Sequence, residues 1–345
     1  MKIANFDTNE KVLLIAELSA NHSGSLELAV ETIKAAKRAG ADAVKLQTYT
    51  ADSLTLNSKK EDFMLRGGLW DGYDLYSLYQ KALTPREWHE TLFKTAANEG
   101  LICFSSPFSN DDADFLERFD PPAYKIASFE VTDYDFIRHI AKKGKPVVIS
   151  TGIATLREIE DAVQICKECG NENVALLKCT SSYPAPLDGM NLLTIADMRR
   201  KFGVEVGFSD HTLGIVAPVV AVSLGARIVE KHFILNKEVR SVDEAFSLDE
   251  GEFKQMANAV RDAEKLLGKA VYELDERALA SRNYARSLYA CADIKKGEIF
   301  SEQNVKSVRP GWGLHPKFKC ELIGKPAKRD INFGDRLSSE DIQKG

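Results

Sequence analysis

Short apolar runs alternate with longer amphipathic stretches along the first 268 residues. The runs are "VLLIAELSAN", "AVKLQTY", "ICFSSPF", "AYKIASFE", "PVVIST", "VALLKCTS", "VEVGFSDH" and "ARIVEKHF". They are nearly continuous in apolar residues, which marks strands buried on both faces. Between them, segments such as "SLELAVETIKAAKRAG" and "TLREIEDAVQICKECG" carry apolar residues at helical spacing and close on glycine. Eight such units predict a parallel sheet covered by helices. Their number and length predict an α/β fold of the closed (β/α)8 TIM-barrel type over residues 1–268, rather than an open dinucleotide-binding sheet. No GxGxxG follows the first run, which weakens the open-sheet option further.

The pattern then changes. Residues 269–286, "KAVYELDERALASRNYAR", read as a helical linker. Residues 287–345 alternate short strand-like runs with "KKGE" and "NFGD" turns and contain no long helical pattern, so they predict a small β-rich domain. Such a domain is small for a fully independent core and is expected to pack on something. Residues 50–85, after the second run, form a long excursion with aromatic residues, suited to a rim loop that serves as a lid or a dimer contact.

Almost every run begins apolar and ends polar: Glu17, Lys45 and Gln47, Ser105 and Ser106, Lys125 and Ser128, Ser150 and Thr151, Lys178 and Thr180, Ser209 to His211, Lys231 and His232. In a barrel these ends share one face, where enzymes of this fold place their chemistry. His211 and His232 end neighbouring strands. They read either as structural histidines or as a pair sharing a divalent metal through neutral imidazoles, with Gln47 and nearby acids as oxygen donors. Oxygen donors suit an ion like Mn²⁺ or Mg²⁺ better than structural zinc. Lys45, Lys125, Lys178 and Lys231, with the hydroxyls of Ser106, Ser128, Ser150 and Ser209, read as a receptor for phosphate and carboxylate together. The other reading is a Schiff-base lysine on the same fold. Glu17, Glu130 and Asp243 read as acid/base or hydroxyl-binding groups, or as salt-bridge partners of the lysines.

Composition narrows the partners. Hydrophobic content of 44% and charged content of 28% are ordinary for a globular protein, and a net charge of −5 argues against nucleic-acid or membrane-surface binding. The N-terminus has no signal-like segment, and no run approaches the roughly 18 apolar residues of a membrane span, so a cytoplasmic protein is expected. The six cysteines are dispersed and read as reduced thiols; "CKEC" (Cys166, Cys169) reads as part of an amphipathic helix rather than a redox motif.

The segments "IAELSANHSGS", "GADAVKLQTYTADSL", "FSSPFS", "YKIASFE", "STGIAT", "LKCTSSYP", "GFSDHT", "EKHF" and "VRPGWGLHP" resemble the sialic acid synthase family. Members pair a (β/α)8 barrel with a C-terminal antifreeze-like (SAF) domain. The variants "LSANHSGS", "TYTADSLTLNS", "EDFMLRGGLWDGYDLYSLY" and "RFDPPAYKIASFE" are most similar to its pseudaminic acid branch. That branch condenses phosphoenolpyruvate with a 2,4-diacetamido-2,4,6-trideoxy hexose of L-altrose configuration; the legionaminate and N-acetylneuraminate branches are the alternatives. The resemblance implies that His211 and His232 bind a divalent cation (Mn²⁺, Mg²⁺ or Co²⁺) with Gln47 near it. It also implies that Lys45, Ser106, Lys125, Ser128, Ser150 and Ser209 hold phosphoenolpyruvate, with Lys178 in the same strand-end set. Glu17, Tyr183 and Asp243 match positions that contact the sugar, and Glu130 stands with them as a candidate. The catalytic set is then Glu17, Lys45, His211 and His232. Arg309 matches an arginine that the SAF domain places over the partner's barrel, so a domain-swapped homodimer is implied. Phe129 replaces a glycine of sialic-type sequences, which suggests a more apolar pocket for a 6-deoxy sugar. Against these stand a Schiff-base lyase and a glycan-binding protein with an inert barrel; so many polar strand ends would be costly to bury without a ligand.

Overall fold

The computed structural model describes residues 1–343. Its first unit, Met1–Gly268, contains a closed barrel of eight parallel strands, the architecture that the apolar runs predict. The strands are β1 (Leu13–Glu17), β2 (Ala43–Thr48), β3 (Ile102–Pro107), β4 (Tyr124–Ile126), β5 (Val147–Ser150), β6 (Val174–Cys179), β7 (Glu205–Asp210) and β8 (Ile228–His232). Strand β8 closes the barrel on β1, with His232 in register with Glu17, and pairs Glu230 with Ser209 of β7.

The helices α1 (Leu26–Arg38), α2 (His89–Asn98), α3 (Asn110–Leu116), α4 (Tyr134–Ala141), α5 (Leu156–Glu168), α6 (Thr194–Phe202), α7 (Val216–Ser223) and α8 (Glu250–Leu267) each follow one strand. Helices α5 and α8 start with capping boxes, Thr155 with Glu158 and Asp249 with Glu252, which satisfy otherwise free backbone donors.

Alternation along the strands sorts the side chains. Leu13, Ile15, Ala43, Phe104, Ala123, Val148, Ala175, Leu177 and Ile228 fill the lower barrel interior together with Ile3. Ile3 belongs to an N-terminal hairpin (Lys2–Ile3 with Phe6–Asp7). Outward residues such as Leu14, Val44 and Val229 pack against Ile33, Phe253 and Met256 of α1 and α8, and Ile126, Ile149 and Leu176 pack against Phe136, Ile159 and Met198. Each such side chain contributes about 1.5–3 kcal/mol by leaving water. The apolar layers hold the barrel so that its upper interior can be polar.

The same alternation places two lysines of the expected anion site on the outward face of their strands. Lys231 has the parity of Val229 and points outward, where its fully buried ammonium lies 2.7 Å from Asp210 Oδ2 and donates to the Thr212 carbonyl. Lys178 has the parity of Val174 and Leu176, not of Leu177; its Nζ donates to the Cys179 carbonyl at 2.7 Å and to Thr180 Oγ1 at 3.3 Å. Neither shares the interior with Lys45 and Lys125.

The second unit is Lys269–Gly345. The expected helical linker is helical only over Glu276–Ser281 and the short turn after it, with residues 269–275 outside any helix. Strands β9 (Ser287–Ala290) and β10 (Val305–Val308) pair antiparallel, and Leu288, Ile294, Phe300, Val305, Leu322, Ile331 and Leu337 form a small core of the unit's own. All six cysteines are free. Among the described residues no helix is long and apolar enough to cross a membrane.

Lys231→Met strands a buried Asp210 carboxylate and is expected to cost about 3–5 kcal/mol in denaturant unfolding, partly recovered by adding Asp210→Leu. A loss under 1 kcal/mol in the single variant would show that the outward pair is not a structural clamp.

Candidate active site

Above the apolar layers, the inward positions turn polar on every strand. Glu17 (β1), Lys45 and Gln47 (β2), Ser106 (β3), Lys125 (β4), Ser150 (β5), Ser209 (β7), Glu230 and His232 (β8) line one interior, with Cys179 at the corresponding place on β6. Ser19, Ser128 and His211 follow just beyond their strands and are buried too.

Lys45 is the hub. Its Nζ lies 3.0 Å from Glu17 Oε2, 3.1 Å from Glu230 Oε1 and 3.3 Å from Ser106 Oγ. Glu230 Oε1 also accepts from Ser209 Oγ at 3.1 Å, while its buried Oε2 has no partner. Gln47 Nε2 donates to Glu17 Oε1 at 3.0 Å and Ser19 Oγ at 2.9 Å, so the amide oxygen is what it has left for a cation. Ser19 in turn donates to the Asp243 carboxylate.

A second centre surrounds Lys125. Its Nζ donates to Ser150 Oγ at 2.7 Å and to the Ile126 carbonyl at 3.0 Å, and the Gly152 amide donates to Ser128 Oγ at 3.1 Å. Only glycine fits at 152: a Cβ there would stand 2.2 Å from Ser181 Oγ and 2.8 Å from Ser128 Oγ. The close approach of β5's end to these hydroxyls therefore requires a residue without a side chain.

Burial sets the charges. It pushes Glu17 up, helped by the charge of Glu230 and opposed by Lys45. It would raise Glu230 as well, but Lys45 and Lys125 hold that carboxyl below its ordinary value. Burial pushes Lys125 down to about 8, against the attraction of Glu230. It pushes Glu130 up to about 7, against Lys125. With two lysines charged, Glu230 ionised and Glu17 inclined to keep its proton, the mouth carries a positive excess. Such a desolvated excess is suited to an anion.

The histidines form the other half. Their ring centroids are 5.4 Å apart. His211 Nδ1 donates to the Thr180 carbonyl at 3.0 Å, which leaves the Nε2 lone pair free. His232 Nδ1 is buried without a hydrogen-bond partner, 3.9 Å from Asp243 Oδ2. Burial and then the neighbouring His211 push His232 well below its ordinary value, so it is neutral. Burial lowers His211 too, but Cys179 and the Thr180 carbonyl outweigh it and raise that imidazole above its ordinary value. Two imidazoles facing each other, His232 neutral and with an orphaned nitrogen, fit a divalent cation. Among the described residues no group of three or more His, Cys, Asp or Glu completes a closed metal site. An ion held here would keep open positions, as catalytic rather than structural sites do.

Tyr183 stands 4.4 Å from the His211 ring, and Phe246 lies 4.8 Å from His232 and 5.0 Å from Tyr183. Glu130 sits in a short turn after β4, with Oε2 buried and unpartnered. Phe129 in the same turn is 59% exposed, so the apolar surface beside the histidines comes from Tyr183 and Phe246 instead. Arg309 lies in the second unit, exposed there.

Residues 32–272 match the NeuB family and residues 285–343 the SAF domain. The chain belongs to the NeuB family. Pseudaminic acid synthase of Campylobacter jejuni (strain 81-176) is 60% identical over 343 residues, 99% of this chain and 100% of that one. Pseudaminic acid synthase of Helicobacter pylori is 46% identical over 332 residues, covering 96% and 98%. Among solved structures, the spore coat polysaccharide biosynthesis protein SpsE of Bacillus subtilis superposes with a TM-score of 0.67 at 33% identity, covering 100% of this chain and 99% of that one.

Within this NeuB-family barrel, sequence reasoning gave no site role to Glu230, Ser19 or Cys179. The first two lie two residues from His232 and from Glu17, and the third two residues after Leu177; all share the inward parity, so spacing alone could have found them. Cys179 lies 3.8 Å from His211 Nδ1; burial raises its thiol, but His211, Ser128 and Lys125 bring it down to about 7.

Inorganic phosphate is a direct probe of the anion centre. Lys125 is charged below pH about 8 and neutral above it, so phosphate affinity should fall as pH rises through that value. Lys125→Met should bind phosphate at least about tenfold more weakly at pH 7 and lose the step, the loss expected of one charged hydrogen-bond donor. Calorimetric titration showing equal affinity in both proteins would remove Lys125 from the anion centre.

Proposed function

We propose that the chain is a pseudaminic acid synthase. It would condense phosphoenolpyruvate with 2,4-diacetamido-2,4,6-trideoxy-β-L-altropyranose and water to give pseudaminic acid and phosphate. The observation that carries this reading is 60% identity along the whole of both chains to a pseudaminic acid synthase. The polar mouth supports it, because both substrates match what the barrel offers: an anion receptor beside a pair of metal-competent histidines.

In this mechanism Lys45 and Lys125, with Ser106, Ser128, Ser150 and Ser209, hold the phosphate and carboxylate of phosphoenolpyruvate. They fix its C3 at a near-attack distance, about 3–3.5 Å, from the aldehyde carbon of the open-chain sugar. His211 and His232, with the Gln47 amide oxygen, would hold a divalent cation, which when bound supplies Lewis-acid polarisation of the aldehyde. The new bond joins C3 to the aldehyde carbon, and the aldehyde oxygen takes a proton from Glu17, whose raised proton affinity suits a general acid. Water adds to C2 and returns a proton to Glu17; the bond from C2 to the phosphate oxygen then breaks, and the C2 hydroxyl passes its proton to the departing phosphate as the keto acid forms. Glu130, Tyr183 and Asp243 would hold hydroxyl and acetamido groups of the sugar. The match of "VRPG" supports a homodimer in which Arg309 serves the partner protomer's barrel, and the small polar substrates support a cytoplasmic enzyme.

One observation favours a second reading. Lys125, lowered to about 8, is the lysine suited to imine formation. Borohydride reduction with pyruvate would then leave a covalent adduct on Lys125; the synthase reading expects none.

Phosphate release from phosphoenolpyruvate should be chelator-sensitive and should require the L-altrose-configured 6-deoxy sugar. The D-mannose-configured counterpart and N-acetylmannosamine should give little. His211→Ala and His232→Ala should each abolish release while leaving the melting temperature within a few degrees. Preference for another sugar would move the chain to a neighbouring branch, and full activity in either histidine variant would sink the metal assignment.

A further inference from the structure

The excursion between β2 and α2 has an ordered tip that reaches the site. Met64 and Asp74 form an antiparallel bridge, Leu65 and Tyr73 continue it, and Asp74 both caps the helix Leu75–Ala82 and pairs with Lys59 at 2.5 Å. The turn at the end of this hairpin is "RGGLWDG", and Gly67, Gly68 and Gly72 all take positive φ there. Trp70 sits at that tip. Its indole Nε1 donates to the Val242 carbonyl at 3.3 Å, next to Asp243, and its ring lies 5.9 Å from that of Tyr183. Tyr183 packs on His211, and Phe246 packs on Tyr183, His211 and His232. A continuous aromatic surface thus runs from the histidine pair up to Trp70, while Phe129 of the neighbouring turn is largely exposed.

We propose that Trp70 is a specificity-determining residue for the end of the sugar farthest from its aldehyde. With Tyr183 and Phe246 it forms an apolar wall that accepts a C6 methyl group and disfavours a C6 hydroxymethyl group. This rests on the synthase reading above. The aldehyde end belongs at the histidines, so the chain of the sugar runs outward along the aromatic surface and its terminal carbon meets the indole. Apart from its N–H, already engaged with Val242, the indole offers no partner for a hydroxyl. A sugar hydroxyl placed there would lose its hydrogen bonds to water without replacement. Apolar pockets reject an added hydroxyl by about a hundredfold at most, so the expected selectivity is moderate.

The test compares kcat/KM for 2,4-diacetamido-2,4,6-trideoxy-L-altrose and its 6-hydroxy counterpart in the full-length enzyme. Wild type should prefer the 6-deoxy sugar by roughly tenfold to a hundredfold. Trp70→Gln keeps an N–H donor for Val242 but replaces the ring with a polar amide. It should reduce that ratio at least about tenfold while leaving the KM for phosphoenolpyruvate unchanged. Trp70→Phe keeps an aromatic ring and loses the donor, and should keep most of the ratio. If Trp70→Gln lowers both sugars equally, or the ratio does not move, Trp70 only seats the hairpin and the proposal falls. A wild type that turns over neither L-altrose sugar overturns the synthase reading and this proposal with it; an active wild type with an unmoved ratio overturns this proposal alone.

Discussion

One lysine held between two carboxylates governs the mouth of this barrel. Lys45 reaches Glu17 and Glu230 at 3.0 and 3.1 Å, with all three side chains nearly removed from water. Removing Lys45 would take the shared cation from two buried carboxyl groups, which is why the group is best understood as a unit. The unit also divides the roles of its acids: Glu230 is kept ionised by the lysines, while Glu17 retains its proton more readily. Two carboxylates in one cavity with proton affinities pushed apart is the arrangement that acid/base chemistry needs. Two of the buried polar atoms that folding leaves without a partner, Glu230 Oε2 and His232 Nδ1, belong to inward positions of β8 and mark where a ligand would complete the hydrogen bonding.

The fold was legible because parallel strands buried on both faces read as apolar runs, and because each run ends in polar residues at the catalytic rim. The same property hid part of the site. When both faces of a strand are apolar, hydropathy does not say which residues point inward, and only the strict period of two does. Counting from Leu177 and Ile228 would have turned Lys178 and Lys231 outward and brought in Cys179 and Glu230 beside Ser209 and His232. Lys231 misled for a physical reason: it is a buried charge with its own partner, Asp210, and so has the composition of a functional residue and the position of a structural one. Trp70 was legible only as one aromatic of the rim excursion, not as a neighbour of Tyr183. It lies 113 residues in sequence from Tyr183 and 172 from Val242, and it meets them only because a glycine-rich turn folds its hairpin over the mouth.

Eight-stranded barrels host many chemistries, so the fold carries little functional weight. Weight comes from agreement at two scales: end-to-end identity to pseudaminic acid synthases, and a mouth whose charge excess and paired imidazoles suit phosphoenolpyruvate and a carbonyl. The C-terminal SAF unit has a small apolar core of its own.

A crystal structure of the protein soaked with phosphoenolpyruvate would bear on all of this most directly. The mechanism predicts an intact ligand with its phosphate and carboxylate divided between the Lys45 and Lys125 centres, and its C3 turned toward the histidine pair. Density continuous from a lysine Nζ to the ligand carbon, or a phosphate bound outside the ring of Ser106, Ser128, Ser150 and Ser209, would contradict it.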